Sequence, residues 1–174
     1  ICGRVCNKRC EDACTRGTID KPVAIDAVKK FVADLDLHSE TCYVPEKVVP
    51  SVHEKFDEKI AIIGAGPAGL SAAYYLALLG YKPTIFEKNA RPGGMMMYGI
   101  PTYKLEKDVI DAEIDIIKQL GVEIITNCEV GKDTSIAKVK EEGYKAFYIA
   151  IGCQGGKRPN VNNDTAEGTF IAVD

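Results

Sequence analysis

A glycine-rich segment between two short apolar runs constrains the fold of this chain more than any other feature. The apolar residues 60–63 lead directly into the glycine segment at 64–69, Gly-Ala-Gly-Pro-Ala-Gly, and an apolar stretch of helical character follows. A second apolar run at 84–86 ends in an acidic residue, Glu87. Strand, glycine turn, helix, second strand and acid in this order are typical of a βαβ unit that binds a dinucleotide.

Each glycine of this segment has a separate expected task. Gly64 allows the tight turn, Gly66 lets the backbone approach a pyrophosphate, and Gly69 lets the helix pack closely on the strand. The amides at the helix N-terminus then face the phosphates, where the helix dipole favours negative charge. Glu87 is placed to accept hydrogen bonds from ribose hydroxyls. A glycine-rich turn alone is weak evidence, but here the whole context of the motif is present.

Alternating apolar runs and helical periodicities from residue 58 onward predict an α/β Rossmann-like fold, a parallel sheet with helices on both faces. The near-continuous apolar run at 146–151 is typical of a central parallel strand. The predicted strands are 59–63, 83–87, 122–126 and 146–151, and the predicted helices are 67–79, 105–120 and 134–142.

The chain divides into three zones. Residues 1–40 are rich in cysteine and include a helical pattern at 22–37, residues 41–57 read as a proline-containing linker, and residues 58–174 form the dinucleotide-binding domain. The chain starts with Ile1 and stops directly after an apolar stretch, so we expect a fragment of a longer protein.

Composition excludes several function classes. The chain has 174 residues and a formal net charge of −3, which gives no electrostatic reason to expect nucleic-acid binding. No apolar run approaches the roughly twenty residues of a membrane-spanning helix. No signal-peptide pattern is visible, so we expect a cytoplasmic protein without membrane contact.

Four cysteines recur at intervals of four residues near the start of the chain: Cys2, Cys6, Cys10 and Cys14. A disulfide framework is disfavoured in a reducing compartment. A four-cysteine zinc site usually pairs close ligands across a longer gap. An iron–sulfur cluster suits several thiolates on a loop or short helix. A helix with a plain stripe of cysteines is the remaining alternative.

The cysteine segment at 2–14, followed by the Pro-Val-Ala-Ile sequence at 22–25, resembles the iron–sulfur domain of the glutamate synthase small-subunit family. The N-terminal region of dihydropyrimidine dehydrogenase is similar. The resemblance extends through the glycine turn at 64–69, the Gly-Gly-Met segment at 93–95 and the strand end at 148–152, in the family's order. It implies a small helical iron–sulfur domain followed by an FAD-binding domain.

Carried over by position, the resemblance implies [4Fe-4S] ligands at Cys6, Cys10 and Cys14, whereas Cys2 matches a family cysteine that need not be a ligand. The family's Gln or Glu ligand from the following helix corresponds here to Lys29, whose ammonium group cannot coordinate iron unless it is deprotonated. Further family cysteines precede the first residue of this chain, so the ligand set in the chain is incomplete. Whether Cys6 and Cys14 belong to one cluster stays open.

The same resemblance places the Gly93-Gly94 loop along the FAD pyrophosphate, where paired glycines let backbone amides come close. Met95 takes a position that is usually Leu, Lys104 stands where Arg is frequent, and Val130 offers backbone contacts to adenine. The methionines at 95–97 are equally well explained as core residues. The full set of expected FAD-binding residues is Gly64, Ala65, Gly66, Pro67, Ala68, Gly69, Glu87, Lys88, Gly93, Gly94, Met95, Lys104, Val130 and Gly152.

The resemblance implies an FAD-dependent iron–sulfur oxidoreductase that passes electrons from NAD(P)H through FAD to clusters and a larger partner subunit or domain. No second glycine turn follows the first, so we expect the nicotinamide site outside this chain and the fragment to be inactive alone. No side chain is expected to act as a catalytic acid or base. The alternative is a non-catalytic scaffold or adaptor with a structural zinc site.

Overall fold

The computed structural model describes residues 1–39, 43–44 and 55–171. Most of the predicted linker at 41–57 lies outside these residues. Within the described part of the chain, no helix is long and apolar enough to cross a membrane.

Four parallel strands form one sheet with the order β3-β2-β1-β4: β1 (Lys59–Ile63), β2 (Lys82–Phe86), β3 (Glu123–Ile125) and β4 (Tyr144–Ile149). In the register of the sheet, Ile63 lies opposite both Phe86 in β2 and Ile149 in β4. The carboxyl ends of the two inner strands therefore meet at one edge, directly below the glycine turn.

The helices of the described residues are α1 (Cys2–Val5), α2 (Arg9–Asp12), α3 (Ile25–Leu37), α4 (Pro67–Leu78), α5 (Met95–Tyr98), α6 (Lys107–Gln119) and α7 (Ile136–Glu141), with a 3-10 turn at Thr15–Thr18. The predicted elements exist with small shifts at their ends. The predicted helix at 22–37 begins only at Ile25, three residues after Pro22.

Side chains of β1 alternate between the two faces of the sheet, as the pleat of a strand requires. Ile62 packs with residues of α4 and α6 in the larger hydrophobic cluster, whereas Ala61 packs with Phe86 and Val139 of α7 in a second cluster. Helices thus cover both faces, and the predicted Rossmann-like fold class is confirmed.

The prediction that the run at 146–151 forms a central strand is wrong for the described sheet. β4 pairs with β1 alone and is an edge strand, so the described sheet has no neighbouring strand on its other side. Tyr148 is 45% exposed and Ile149 is 56% exposed. The apolar run therefore lies at the edge of the sheet, where the described residues leave several of its side chains exposed.

The cysteine region contacts the dinucleotide-binding domain through Ile1, which packs against the larger hydrophobic cluster, and through Arg4 of α1, which pairs with Glu106. Within the region, α1 packs on α3. Gly3 lies so close to α3 that a Cβ atom there would stand 2.8 Å from the Lys30 Cα atom. The opposite side of α3 exposes apolar side chains, among them Val28, Phe31 and Leu35. The helical periodicity of this segment was correctly predicted, but most of its apolar stripe does not face the described core.

Candidate functional site

The glycine turn between β1 and α4 is fixed by two close contacts of the backbone. Gly64 has a φ of +104°, and a Cβ atom there would lie 2.4 Å from the Ala150 carbonyl oxygen. A Cβ atom on Gly69 would lie 1.9 Å from the Gly64 carbonyl oxygen. Both glycines are therefore required by the packing of the protein itself, in agreement with their expected tasks.

Gly66 differs from these two glycines. It precedes the first residue of α4, and a Cβ atom there would meet only the Gly94 Cα atom, at 3.9 Å. The folded chain thus leaves open space over Gly66. This space lies at the N-terminus of α4, where free amides and the helix dipole favour an anion.

The Gly93-Gly94 loop lies against the glycine turn, although it is separated from it by more than twenty residues of sequence. The Gly93 amide donates a hydrogen bond to the Ala65 carbonyl oxygen at 2.8 Å. Gly94 has a φ of +55°, and a Cβ atom there would lie 2.7 Å from the Gly66 Cα atom. The structure therefore brings together the two glycine segments that the sequence singled out.

The Glu87 side chain is buried at the end of β2 and reaches back to the turn. Its Oε2 atom accepts a hydrogen bond from the Ala65 amide at 2.7 Å, and its Oε1 atom accepts one from the Asn89 amide at 2.9 Å. Each carboxylate oxygen keeps a second lone pair. The contact to the turn was not anticipated from the sequence, and the ribose contact stays a prediction.

The other expected FAD-binding residues have varied surroundings. Pro67 and Ala68 are exposed in the first turn of α4, next to Gly66. The Lys88 ammonium group donates to Gln154 Oε1 at 2.9 Å. Met95 is 51% exposed at the start of α5. Lys104 and Gly152 are exposed, and Gly152 has a φ of +70°. Val130 is half-buried and packs on the second hydrophobic cluster.

A flavin dinucleotide fits this arrangement, because Gly94 can lie against the backbone of Gly66 only without a Cβ atom and the space over Gly66 stays open. The space over Gly66 adjoins the N-terminus of α4. Because Gly66 and Gly94 carry no side chains, neither residue fills this space. The arrangement meets two requirements for binding a pyrophosphate: the backbone can approach it closely, and amides at the start of α4 can donate to it.

Two of the four cysteines near the start of the chain have sulfur atoms that interact with hydrogen-bond donors. Cys6 Sγ accepts from the Lys8 amide at 3.4 Å and from the Lys29 ammonium group at 3.5 Å. Backbone hydrogen bonds at Val23, Arg16 and Gly17 lower the pKa of the Cys14 thiol. Donors of this kind stabilise the thiolate form, which is the form that binds a metal.

The donor chemistry therefore fits sulfur ligation, but the described side chains do not complete a ligand set. Among residues 1–39, 43–44 and 55–171, no three Cys, His, Asp or Glu side chains converge as a metal site would require. Cys2 and Cys10 are exposed, and Cys6 and Cys14 are half-buried. The assignment of Cys2, Cys6, Cys10 and Cys14 stays a prediction.

Sequence reasoning missed the ionic contact between the cysteine region and the dinucleotide-binding domain. Arg4 pairs with Asp34 of α3 and with Glu106, the residue before α6. The Lys107 ammonium group donates to the carbonyl oxygens of Met96 and Ile100, at 2.9 Å and 2.5 Å, and so holds α5 in place. The partners of Arg4 lie far from it in sequence, so no local pattern predicts these ion pairs.

Two family models match this chain. Residues 62–120 match an NAD(P)-binding Rossmann-like domain. Residues 1–41 match domain II of dihydropyrimidine dehydrogenase, described as a 4Fe-4S cluster domain. The two matches have the order that the sequence predicted.

Curated relatives match nearly the whole chain. It is 40% identical to the beta subunit of NADP(+)-dependent formate dehydrogenase from Moorella thermoacetica, over 98% of this chain and 26% of the relative. It is 42% identical to the PreT subunit of NAD-dependent dihydropyrimidine dehydrogenase from Salmonella typhimurium, over 90% of this chain and 37% of that subunit. It is 36% identical to NADH glutamate synthase from Schizosaccharomyces pombe, over 99% of this chain and 8% of that protein. The chain thus spans little more than a third of the relatives' length at most.

Among solved structures, FprA of Mycobacterium tuberculosis in complex with NADPH aligns with a TM-score of 0.61 at 22% identity, over 68% of this chain and 28% of FprA. This likeness supports the fold. The two domain matches and the curated relatives confirm the resemblance: the chain is similar to oxidoreductases named as glutamate synthase, dihydropyrimidine dehydrogenase and formate dehydrogenase proteins.

Proposed function

We propose that this chain provides the FAD pyrophosphate site and part of the iron–sulfur segment of an NAD(P)H-dependent oxidoreductase. The observation that carries the proposal is the contact between the two glycine segments. Gly94 lies against Gly66 at the start of α4 and leaves the space over Gly66 open. An NAD(P) molecule uses the same kind of turn, and the paired glycines at 93–94 favour FAD.

The residues of the cradle bind and orient in this proposal. Amides at the start of α4 donate to the pyrophosphate, and Gly66 permits its close approach. Glu87 holds the turn through Ala65 and accepts from a ribose hydroxyl with a remaining lone pair. The Lys107 hydrogen bonds to the carbonyl oxygens of Met96 and Ile100 keep the segment after Gly94 in position. When bound, the flavin supplies the hydride and electron chemistry, so these residues need no acid or base role.

The cysteine segment supplies sulfur ligands for a [4Fe-4S] cluster in this proposal, with Cys6, Cys10 and Cys14 as the expected donors. Hydrogen bonds to ligand sulfurs, such as those at Cys6, are among the features that set a cluster's reduction potential. Lys29 acts as a donor to Cys6 in the structure, which differs from the ligand role of the corresponding family position.

In this proposal, the nicotinamide site and the electron acceptor lie outside the residues of this chain. The relatives named as formate dehydrogenase and dihydropyrimidine dehydrogenase proteins are subunits, which supports a larger partner subunit or domain. A cytoplasmic setting remains our prediction. The proposal extends neither to the identity of the partner nor to the choice between NADH and NADPH.

Anaerobic purification of the full-length protein tests the proposal. We expect a flavin absorption spectrum together with iron and acid-labile sulfide, and little zinc. The scaffold alternative predicts bound zinc and neither flavin nor acid-labile sulfide. Zinc in a protein without flavin and without sulfide would overturn the redox assignment.

A further inference from the structure

The Tyr98 hydroxyl closes the chain around the Gly93-Gly94 loop. Tyr98 is the last residue of α5, which directly follows Gly94. Its hydroxyl accepts a hydrogen bond from the Arg91 amide at 3.0 Å and donates one to the Arg91 carbonyl oxygen at 3.2 Å. One side chain after the two glycines therefore holds the backbone before them, and residues 91–98 form a closed loop.

The backbone inside this loop needs such a restraint. Gly93 has a φ of +124° and Gly94 a φ of +55°, both in the left-handed region that favours glycine. Because glycine loses more conformational freedom on ordering than any other residue, an unrestrained pair would sample many conformations. The Met97 amide donates to the Gly94 carbonyl oxygen at 3.0 Å, which holds the end of the loop next to α5. The Tyr98 hydroxyl holds the opposite end, at Arg91.

One face of the loop lies on α6. The Arg91 Nη2 atom lies 2.5 Å from Asp111 Oδ2, and a Cβ atom on Gly93 would lie 3.3 Å from Cγ2 of the fully buried Ile110. Both side chains of the ion pair are about half exposed, so the pair alone is a weak restraint. The two hydrogen bonds of the Tyr98 hydroxyl therefore add a second restraint on Arg91.

The other face of the loop lies on the glycine turn. The Gly93 amide donates to the Ala65 carbonyl oxygen at 2.8 Å, and a Cβ atom on Gly94 would lie 2.7 Å from the Gly66 Cα atom. Within the described part of the chain, the Gly94 amide donates no hydrogen bond and is therefore available to a ligand. Because Arg91 precedes Gly93 by only two residues, the position of Arg91 determines where the loop meets the turn.

We propose that Tyr98 is a positioning residue for the pyrophosphate of FAD. Its hydroxyl keeps the Gly93-Gly94 loop against the glycine turn before the cofactor binds, so binding does not have to order the loop. Tyr98 acts through Arg91 and takes no part in the redox chemistry. This inference rests on the proposed function.

The test is Tyr98→Phe in the full-length protein, which removes the hydroxyl and keeps the ring. FAD is removed from the purified protein, and the affinity of the apoprotein for added FAD is measured by flavin fluorescence. We expect the Kd to rise about fivefold, which corresponds to the net contribution of one ordinary hydrogen bond.

Two further measurements distinguish positioning from a general structural role. The thermal midpoint of the apoprotein is expected to stay close to that of the wild type, because Tyr98 is 53% exposed and water can replace its hydroxyl at the exposed Arg91. The rate of NADH or NADPH oxidation at saturating FAD is expected to be unchanged, since the loop then has its cofactor in place.

Two other variants serve as controls. Tyr75→Phe makes the same chemical change on α4, where Tyr75 is 62% exposed and its ring contacts Tyr74, so the FAD affinity should stay that of the wild type. Asp111→Asn removes the ion pair with Arg91 and keeps the hydrogen bonds of Tyr98. It is expected to raise the Kd for FAD about twofold at most, since exposed ion pairs contribute little.

The outcomes separate this inference from the function on which it rests. A wild-type FAD affinity in Tyr98→Phe would overturn the positioning role. A markedly lower thermal midpoint of the Tyr98→Phe apoprotein would show that the hydroxyl serves folding, and it would overturn the role as well. If the wild-type apoprotein does not bind FAD, the proposed function itself is overturned.

Discussion

The glycine turn and the cysteine segment are both candidate cofactor sites, but the folded chain prepares them to different degrees. At the turn, Gly64 and Gly69 are locked by backbone contacts, and Glu87 and Gly93 both hydrogen-bond to Ala65. In the cysteine segment, short helical pieces at Cys2–Val5 and Arg9–Asp12 contain no buried residue. Protein packing therefore shapes the first site closely, whereas no three metal-ligating side chains converge within the described part of the second.

This difference shows what each cofactor must contribute. A pyrophosphate enters a cradle that exists before binding, so its binding needs little rearrangement of the chain. A cluster must draw separate thiolates together, so its binding energy also orders the segment that holds it. We therefore expect that variants at the flavin site can lose FAD binding without loss of folding. Cysteine variants are expected to lose both the cluster and the order of the segment that holds it.

The largest expected effect is on folding, at Gly69. Alanine there would place a Cβ atom 1.9 Å from the Gly64 carbonyl oxygen, and neither backbone segment can move away easily. We expect Gly69→Ala to destabilise the protein by about 3 kcal/mol, at the upper end of ordinary overpacking. Gly66→Ala is the control with open space, and its thermal midpoint should stay close to that of the wild type.

A second variant, Gly94→Ala, tests whether the cradle requires the paired glycines. Its Cβ atom would approach the Gly66 Cα atom to 2.7 Å, so the loop must move away from the turn. Gly121→Ala is a matched control, because Gly121 also has a positive φ but no neighbour within 4 Å. Both variants should lose roughly 1 kcal/mol of stability from the backbone conformation. FAD content should fall in Gly94→Ala alone, and equal FAD loss in both would contradict the cradle.

The cysteine segment is tested by Cys14→Ser, which removes the thiol whose pKa is lowered by backbone hydrogen bonds. We expect loss of iron and sulfide and retention of FAD. Cys128→Ser in the second domain is the control, since burial raises the pKa of that thiol and disfavours the thiolate. Full iron content in Cys14→Ser would remove Cys14 from the ligand set.

Much of the flavin half could be predicted from the sequence because its signals are local. The glycine turn, the strands beside it and Glu87 follow from short-range rules of turn geometry and strand alternation. The contact between Ala65 and Glu87 could not be predicted, because it depends on the parallel pairing of β1 with β2.

The cysteine half was less accessible to sequence reasoning. The spacing of four residues identified the thiols, but it could not show how far apart their sulfur atoms lie. The Arg4 pairs with Asp34 and Glu106 depend on long-range docking and have no local pattern. The edge position of β4 was missed for a similar reason, since an apolar run is equally compatible with an inner strand and an uncovered edge.

The smallest expected effect concerns the pH dependence of the contact between the two regions. The Glu106 pKa is lowered by a hydrogen bond from its own backbone and by Arg4, with a smaller contribution from Lys30. Because the folded-state pKa is depressed, the stabilisation is complete above the ordinary glutamate value of 4.5 and is lost as the pH falls through the lowered pKa.

Stability measured against pH checks this expectation. The acid-induced loss should be smaller in Glu106→Gln than in the wild type, by no more than about 1 kcal/mol for so exposed a carboxylate. Parallel curves for the two proteins would show that the Arg4–Glu106 pair does not stabilise the folded state.

The central claim is that the glycine turn binds FAD independently of the cysteine segment. It is tested most directly by measuring FAD, iron and sulfide together in the Gly66→Val variant of the full-length protein. A valine side chain would extend into the space over the turn: its Cβ atom would lie 3.9 Å from the Gly94 Cα atom, an ordinary contact, whereas a pyrophosphate bound at the turn would be crowded. Our account predicts a folded protein that retains its iron and sulfide and contains no FAD. Stoichiometric FAD in this variant would contradict the placement of the cofactor at the glycine turn.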